Sequence, residues 1–385
     1  MKLSGRCLDI QGSLTRELFN KASQYKDIID LTLGDPDLNL NTEGTEAAYK
    51  AMRDGFTHYA PNAGILPLRR LLSEKVSRDY GIGYDSASEI IVTLGGMEGL
   101  FLAVQCLINP GDEVVIFEPY YPNYVQMVKM AGGIPVFVTT RFDERFEADA
   151  RLLKEAVTDK TRLIILNSPG NPSGAVYSSE ILREVADIAI SRDLAVISDE
   201  VYKTLIYDGI QHHTVLEFEG MRERTVLINS ISKEYCATGL RIGYVCADAD
   251  LIAKMTLMQE NVAACAATPL QHATCALIEN GADGGEMLAE FTKRRDVLCA
   301  GLENAKGIRF NKPQATFYLF VDVSECGLDS LAFADRLLTA EHVAVAPGKS
   351  YGNDCDGFIR IAFTQKAEKL QEAAKRISRF VETLK

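Results

Sequence analysis

The chain has 385 residues, 47% of them apolar and 24% charged, which is material for about two globular domains. Its net charge of −12, with no run of Lys or Arg, excludes a nucleic-acid-binding surface, because phosphate contact needs a basic patch. The longest apolar stretches are strand-sized, so no membrane span is expected, and the N-terminal MKLSGRCLDIQGSL lacks the apolar segment of a signal peptide.

From about residue 85, helix-like and strand-like segments alternate. Residues 97–108 (MEGLFLAVQCLI) carry apolar side chains at helical spacing and stop at Asn109-Pro110-Gly111. A buried strand follows at 113–119 (EVVIFEP), then a helix at 122–133 closing on glycines, then a strand, IPVFVTT. Residues 163–174 (LIILNSPGNPSG) read as a strand running into a Gly/Pro loop, and 178–190 as a helix capped by Ser with a Glu behind it. Three more strands are expected at 194–202 (LAVISDEVY), 225–232 (TVLINSIS) and 240–247 (LRIGYVCA). Continuous apolar strands alternating with helices imply an α/β fold: a mainly parallel sheet covered by helices on both faces. The tail differs, with the strands ATFYLFVDV and GFIRIAFT set among polar helices such as 366–384. It suggests a smaller α+β domain built from the two chain ends, 1–44 and 281–385, beside a large domain at 45–280.

Nine cysteines lie between Cys7 and Cys355 without a C-x-x-C pair, which fits reduced thiols in a cytoplasmic protein better than disulfides or zinc. The adjacent His212 and His213 would diverge on a strand, so no metal site is expected.

In open α/β sheets, ligands sit beyond the carboxyl ends of the strands, and several polar residues fall there. Gly95 and Gly96 in TLGGMEGL separate a strand from a helix start that can face an anion, although the spacing is not that of a dinucleotide site. Tyr121 in EPYYPNY is either core packing or a ring laid over a flat ligand. Asn171 sits in NSPGNPSG, where turn formation is the plain reading. Asp199 ends an apolar strand, a costly place for a carboxylate unless it meets a cation or a proton donor; Tyr202 follows. Arg360, inside GFIRIAFT, awaits an anion. In NSISKEYCATGLRIGY, Lys233 follows Ser230 and Ser232 and precedes Arg241, with few other charges nearby. Read alone, Lys233 is as well explained as a strand-end lysine reaching for water.

Taken together these residues resemble the class I/II aminotransferase family, the aspartate aminotransferase-like group of fold-type I pyridoxal-phosphate enzymes. The resemblance runs from LTLGDPDL (31–38) to FIRIAFT (358–364) through HYAPNAGILPLRRLL, NSPGNPSG, SDEVY and SKEYCATGLRIGY. It implies an enzyme moving an amino group between an L-amino acid and a 2-oxo acid, with pyridoxal 5'-phosphate as cofactor. Lys233 would be the Schiff-base lysine and proton shuttle, and Asp199 the partner of the pyridinium nitrogen. Arg241, Ser230 and the backbone of Gly95, Gly96 and Met97 would hold the phosphate. Tyr121 would stack on the ring, and Asn171 and Tyr202 would bond its phenolic oxygen. Arg360 would take the substrate α-carboxylate, assisted by Asn171 and the backbone of Gly34. Tyr59 would reach the phosphate of a neighbouring subunit, making a homodimer with shared sites.

The resemblance also gives Lys233 a physical reason. An amine free of carboxylates and near cations has a lowered pKa and can condense with an aldehyde. Other reactions on the same scaffold, such as a C–S β-lyase, a decarboxylase or a cyclising enzyme, would keep the same residues. A non-catalytic effector-binding module would call for a helix-turn-helix extension, and the sequence starts almost at the fold. In bacterial aspartate-specific relatives the Met97 position often carries a lysine for the side-chain carboxylate. Here Met, followed by Glu98, suits apolar or aromatic side chains and speaks against strict aspartate specificity.

Overall fold

The computed structural model describes residues 1–281 and 284–384. Seven strands form the central sheet: β1 (Ile90–Leu94), β2 (Glu113–Glu118), β3 (Ile134–Thr139), β4 (Thr161–Asn167), β5 (Ala195–Asp199), β6 (Thr225–Ser230) and β7 (Ile242–Cys246). They lie in the order β1-β7-β6-β5-β4-β2-β3. Every pair is parallel except those of β7, which runs antiparallel to β1 and β6.

The unbroken apolar runs follow from burial on both faces. In β2, Val114 and Ile116 enter one core, with Leu100, Met127 and Ile252 of the covering helices. Val115 and Phe117 enter the opposite core, with Leu182 and Val185 of the helix Ser179–Ser191. Successive side chains of a strand point to opposite faces, so both must be apolar here. Each fully buried Val, Ile or Leu contributes about 1.5–3 kcal/mol.

A second sheet joins Ala346–Pro347, Phe358–Ala362, Tyr318–Asp322 and Arg309–Phe310, all antiparallel. Ile29–Asp30 pairs in parallel with Val343–Ala344, which ties the N-terminal segment to the C-terminal part. One core accordingly mixes Leu18 and Leu31 with Phe291, Leu319, Ile361 and Phe380. The helix Ala367–Glu382 buries Leu370, Ala373, Ala374, Ile377, Phe380 and Val381, a stripe at helical spacing.

Two readings from sequence change. The strand expected through Ser232 ends at Ser230, because the Ser230 side chain accepts the Ser232 N–H and caps a single helical turn, Ile231–Glu234. Lys233 therefore sits on a helical turn and not on a strand. His212 and His213 lie in irregular chain, where His212 Nε2 meets Glu200 at 2.7 Å and His213 Nδ1 meets Glu217 at 3.2 Å.

The sheet register places the functional edge. Asn167 at the end of β4 stands opposite Asp199 at the end of β5, and Asp199 stands opposite Ile228, two residues before Ser230.

Candidate active site

Beyond these strand ends opens a cavity of about 560 Å³. Of the residues singled out in the sequence, Gly34, Gly96, Met97, Tyr121, Asn171, Asp199, Tyr202, Ser230, Lys233, Arg241 and Arg360 all line it. Gly95 lies just behind, against Arg241: a Cβ there would fall 2.5 Å from the guanidinium. Tyr59 does not reach the cavity and is 89% exposed.

Lys233 is half-buried and donates from Nζ to the carbonyl of Gly34 at 2.8 Å. No carboxylate lies within ion-pair distance among the described residues. Its pKa is lowered, first by burial, with Arg360 and Arg241 adding to the effect and Tyr318 and Asp35 opposing it. The cations named from sequence are thus the lesser cause, and Asp35 is a carboxylate that the sequence reading overlooked. Gly34 must be glycine, since a Cβ would sit 1.7 Å from the Tyr318 hydroxyl.

Asp199 is 4% exposed, and burial pushes its carboxyl up to about 6. Tyr124 donates its hydroxyl to Asp199 Oδ2 at 2.5 Å, and Asn167 Nδ2 holds the Asp199 carbonyl at 3.0 Å. Asn167 Oδ1 also accepts the N–H of Asn171 at 2.9 Å, which locks the NSPGNPSG loop to the sheet edge. Tyr121 packs edge-on against Tyr124, with centroids 5.5 Å apart.

At the start of the helix Gly95–Leu107 the backbone needs φ +74° at Gly95, a conformation open to glycine. Gly243 of β7 lets that turn come close, since a Cβ would lie 2.4 Å from Gly95 C. Arg241 spans the turn, donating to Thr238 O at 2.9 Å and to Leu94 O at 3.4 Å. Ser230 Oγ bonds Ser232 Oγ at 2.9 Å and Ile242 O at 3.0 Å. Glu98 does not line the cavity; it accepts the Leu94 N–H at 2.6 Å, inside its own helix start.

Arg360 is buried between the rings of Tyr318 and Tyr351, 4.1 and 4.9 Å from their centroids. It donates from Nη1 to Asn171 Oδ1 at 3.0 Å and from Nη2 to the Thr32 carbonyl, while its buried Nε has no partner among the described residues. Tyr202 donates to the Tyr318 hydroxyl at 3.2 Å. Four cations (Arg16, Lys233, Arg241 and Arg360) and two carboxylates (Asp35 and Asp199) line the cavity. None of the six forms an ion pair among the described residues, so the cavity is electropositive and open to anions.

The sequence pattern of the family Aminotransferase class I and II matches residues 26–377. The chain belongs to that family. It is 36% identical over 382 residues to the aspartate aminotransferase of Pyrococcus abyssi, covering 98% of each chain. It is 34% identical over 388 residues to aromatic-amino-acid aminotransferase 2 of Thermococcus litoralis, covering 100% of each. Its structure matches that of the aspartate aminotransferase from Thermus thermophilus with maleate, with a TM-score of 0.93 and 35% identity over 98% of this chain and 99% of the other. The protein is an aminotransferase, a member of a family that depends on pyridoxal phosphate.

Some residues of this aminotransferase's cavity were missed in the sequence. Tyr124 is three residues past Tyr121, a helical step that carried a usable signal. Asn167 stands inside a motif already quoted. Tyr318, Tyr351 and Arg16 had none, because they arrive from distant segments.

Proposed function

We propose that this cavity is the active site, that it holds pyridoxal 5'-phosphate, and that Lys233 is the lysine that carries it. The observation behind this reading is an amine with a lowered pKa and, among the described residues, no carboxylate partner, sharing one cavity with a buried carboxylate that meets no cation among them.

The residues fit the cofactor. Asp199 has space and charge for a pyridinium N–H, and Tyr124 holds the carboxylate in one orientation. Arg241, Ser230 and the helix start at Gly95, Gly96 and Met97 suit a phosphate dianion, since a helix N-terminus presents unpaired N–H groups. Tyr121 lies where a ring can stack, and Asn171 and Tyr202 can bond a phenolic oxygen. Arg360, with its buried Nε unmet, suits the substrate α-carboxylate in a two-pronged pair. When bound, the cofactor supplies the electron sink that stabilises a carbanion at the substrate Cα. Lys233 Nζ is the base that takes the Cα proton, its lowered pKa leaving more of the neutral amine near pH 7. Arg360 and Asn171 hold the substrate so that this proton faces Nζ.

We further propose a homodimer with shared sites. Tyr49, Met52, Phe56, Tyr59, Leu257 and Val262 are large apolar side chains left exposed, and exposed apolar surface of this kind suits burial against a second copy. Tyr59, unable to reach its own cavity, would reach the partner's. We assign residues 45–280 to a large cofactor-holding domain and both chain ends to a small one. The nine free cysteines favour a reducing compartment such as the cytoplasm. The amino donors remain within the range suggested by relatives named for aspartate and for aromatic amino acids, and by a neighbour crystallised with maleate, a dicarboxylate.

Borohydride reduction followed by peptide mapping tests the core of this reading. The label should land on Lys233, and a label on any other lysine would overturn it. Mixing Lys233→Ala and Tyr59→Phe chains should give a dimer with one doubly defective site and one intact; a fully active monomer would refute the shared site.

A further inference from the structure

We propose that a second cavity, behind the turn Ile231–Glu234, is a binding site for inorganic hydrogen phosphate. Its volume is about 480 Å³, and it shares no lining residue with the cavity in front. Neighbours in sequence divide between the two: Tyr202 and Lys233 line the front, Lys203 and Glu234 the rear.

Charge is the first argument. Asp79 is shared among three cations of the rear lining, with Lys203 at 2.6 Å, Lys75 at 3.1 Å and Arg78 at 3.4 Å. Glu234 is a second carboxylate, 2.6 Å from Lys75. Three positive charges thus line the cavity against two negative ones, an excess that favours an anion. The Lys75 and Lys203 side chains are each 7% exposed, so solvent screens that excess less than it would at a surface. Burial, opposed by Asp79, holds the Lys203 pKa below its usual value, and an anion beside it would offset that cost.

The unmet polar atoms say which anion. Thr204 Oγ1 and His212 Nδ1 belong to residues of the lining and are buried without a partner among the described residues, a costly state for a polar atom. They differ in kind. The Thr204 hydroxyl can donate. His212 Nε2 faces Glu200 Oε2 at 2.7 Å, while Glu200 Oε1 accepts from Thr214 at 2.6 Å and from Ser198 at 2.8 Å. Against its burial, His212 and these hydroxyls keep the Glu200 pKa low, so the carboxylate accepts only. The ring proton is therefore assigned to Nε2, and Nδ1 of the neutral ring is an acceptor. An anion that satisfies both atoms must carry a hydrogen of its own. Hydrogen phosphate offers oxygens to Thr204 and the cations and one P–O–H to Nδ1, whereas sulfate near neutral pH has no hydrogen to give. The Glu200 network fixes the imidazole beforehand, which lowers the cost of binding.

Calorimetry on the full-length holoenzyme tests this, with inorganic phosphate and sulfate titrated separately at pH 7.5. Phosphate should bind at least about tenfold more tightly than sulfate, because a site built around a hydrogen bond rejects the analogue that cannot make it. Thr204→Val should weaken phosphate binding about tenfold, and Lys203→Met by at least as much. Melting curves without phosphate check that both variants fold, and Thr204→Val, which disturbs no ion pair, decides the case if Lys203→Met does not. Arg360→Met, in the front cavity, should leave phosphate affinity within about twofold of wild type, since its charge lies outside the rear lining. Equal affinity for sulfate would overturn the proposal. So would a loss in Arg360→Met with none in Thr204→Val, which would put the ion in the front cavity, or no saturable binding up to about 20 mM phosphate.

Discussion

The turn Ile231–Glu234 separates two charged regions that treat lysine in opposite ways. In front, Lys233 meets a carbonyl oxygen and open space. Behind, Lys75 lies 2.6 Å from Glu234 and 3.1 Å from Asp79, and Lys203 lies 2.6 Å from Asp79. Burial works against the charge on Lys75, yet Glu234 and Asp79 outweigh it and its pKa rises. Lys203, which shares Asp79 with Lys75, stays below the usual value, chiefly through burial. A lowered pKa alone therefore does not mark the reactive lysine. What marks Lys233 is the lack, among the described residues, of a carboxylate partner beside an open cavity, and what marks the others is a filled coordination. Two neighbours in sequence, Lys233 and Glu234, serve chemistry on one side and structure on the other.

The largest effect is expected at Lys233 itself. Lys233→Ala should lower kcat by about 10⁴-fold or more, because it removes both the covalent anchor and the base. The fold should survive, since no ion pair is lost; stopped-flow assays and a melting curve check both halves. Lys75→Met should do the reverse. Leaving Glu234 buried without its cation should cost about 3–5 kcal/mol of stability, with kcat within about tenfold of wild type. Replacing Glu234 by Leu in the same chain should recover much of that loss. The pH dependence has a definite sign. Lys75 has a folded pKa above its unfolded one, so its contribution is complete below about 10.4 and is lost as pH rises through the folded value. Alkaline denaturation should therefore begin earlier in wild type than in the doubly substituted chain.

Asp199 sharpens the contrast from the acidic side. Without cofactor its carboxyl rises from 3.8 to about 6, so the protonated form is favoured in the fold. That stabilisation is present below the unfolded pKa and is lost as pH rises through about 6, a cost of about 3 kcal/mol at neutral pH. Cofactor-free Asp199→Asn should melt several degrees above cofactor-free wild type at pH 7.5, and the difference should vanish near pH 4. Adding cofactor should raise the wild-type melting temperature more than that of the variant. An equal rise would separate Asp199 from the pyridinium.

Much of this arrangement was legible in the sequence. The parallel strands showed as apolar runs, and the residues at their carboxyl ends, Asp199 and Ser230, were visible as polar stops. The reversal of β7 was not, because LRIGYVCA carries no mark of direction and its pairing depends on β1, far away in the chain. The helical turn under Lys233 was hidden too, since TVLINSIS looks uniformly strand-like and only the Ser230 cap ends it. Arg360 could be suspected from one charge in an apolar strand, but the tyrosines around it come from residues 318 and 351. Spacing reports local partners and is silent about those that the fold brings together.

The smallest expected effect concerns Met97, where side-chain preference and common chemistry should come apart. Met97 lines the cavity and packs against the core that contains Leu100 and Ile228. Its backbone N–H lies in the first turn of the helix Gly95–Leu107, where a phosphate would be held. Substitution leaves that N–H in place, so the steps shared by all substrates should be little changed. Met97→Lys should therefore raise the ratio of kcat/KM for aspartate over that for phenylalanine about tenfold, the value of one partly solvated charge pair. If the ratio stays flat, the Met97 side chain points into the core and contributes only its backbone.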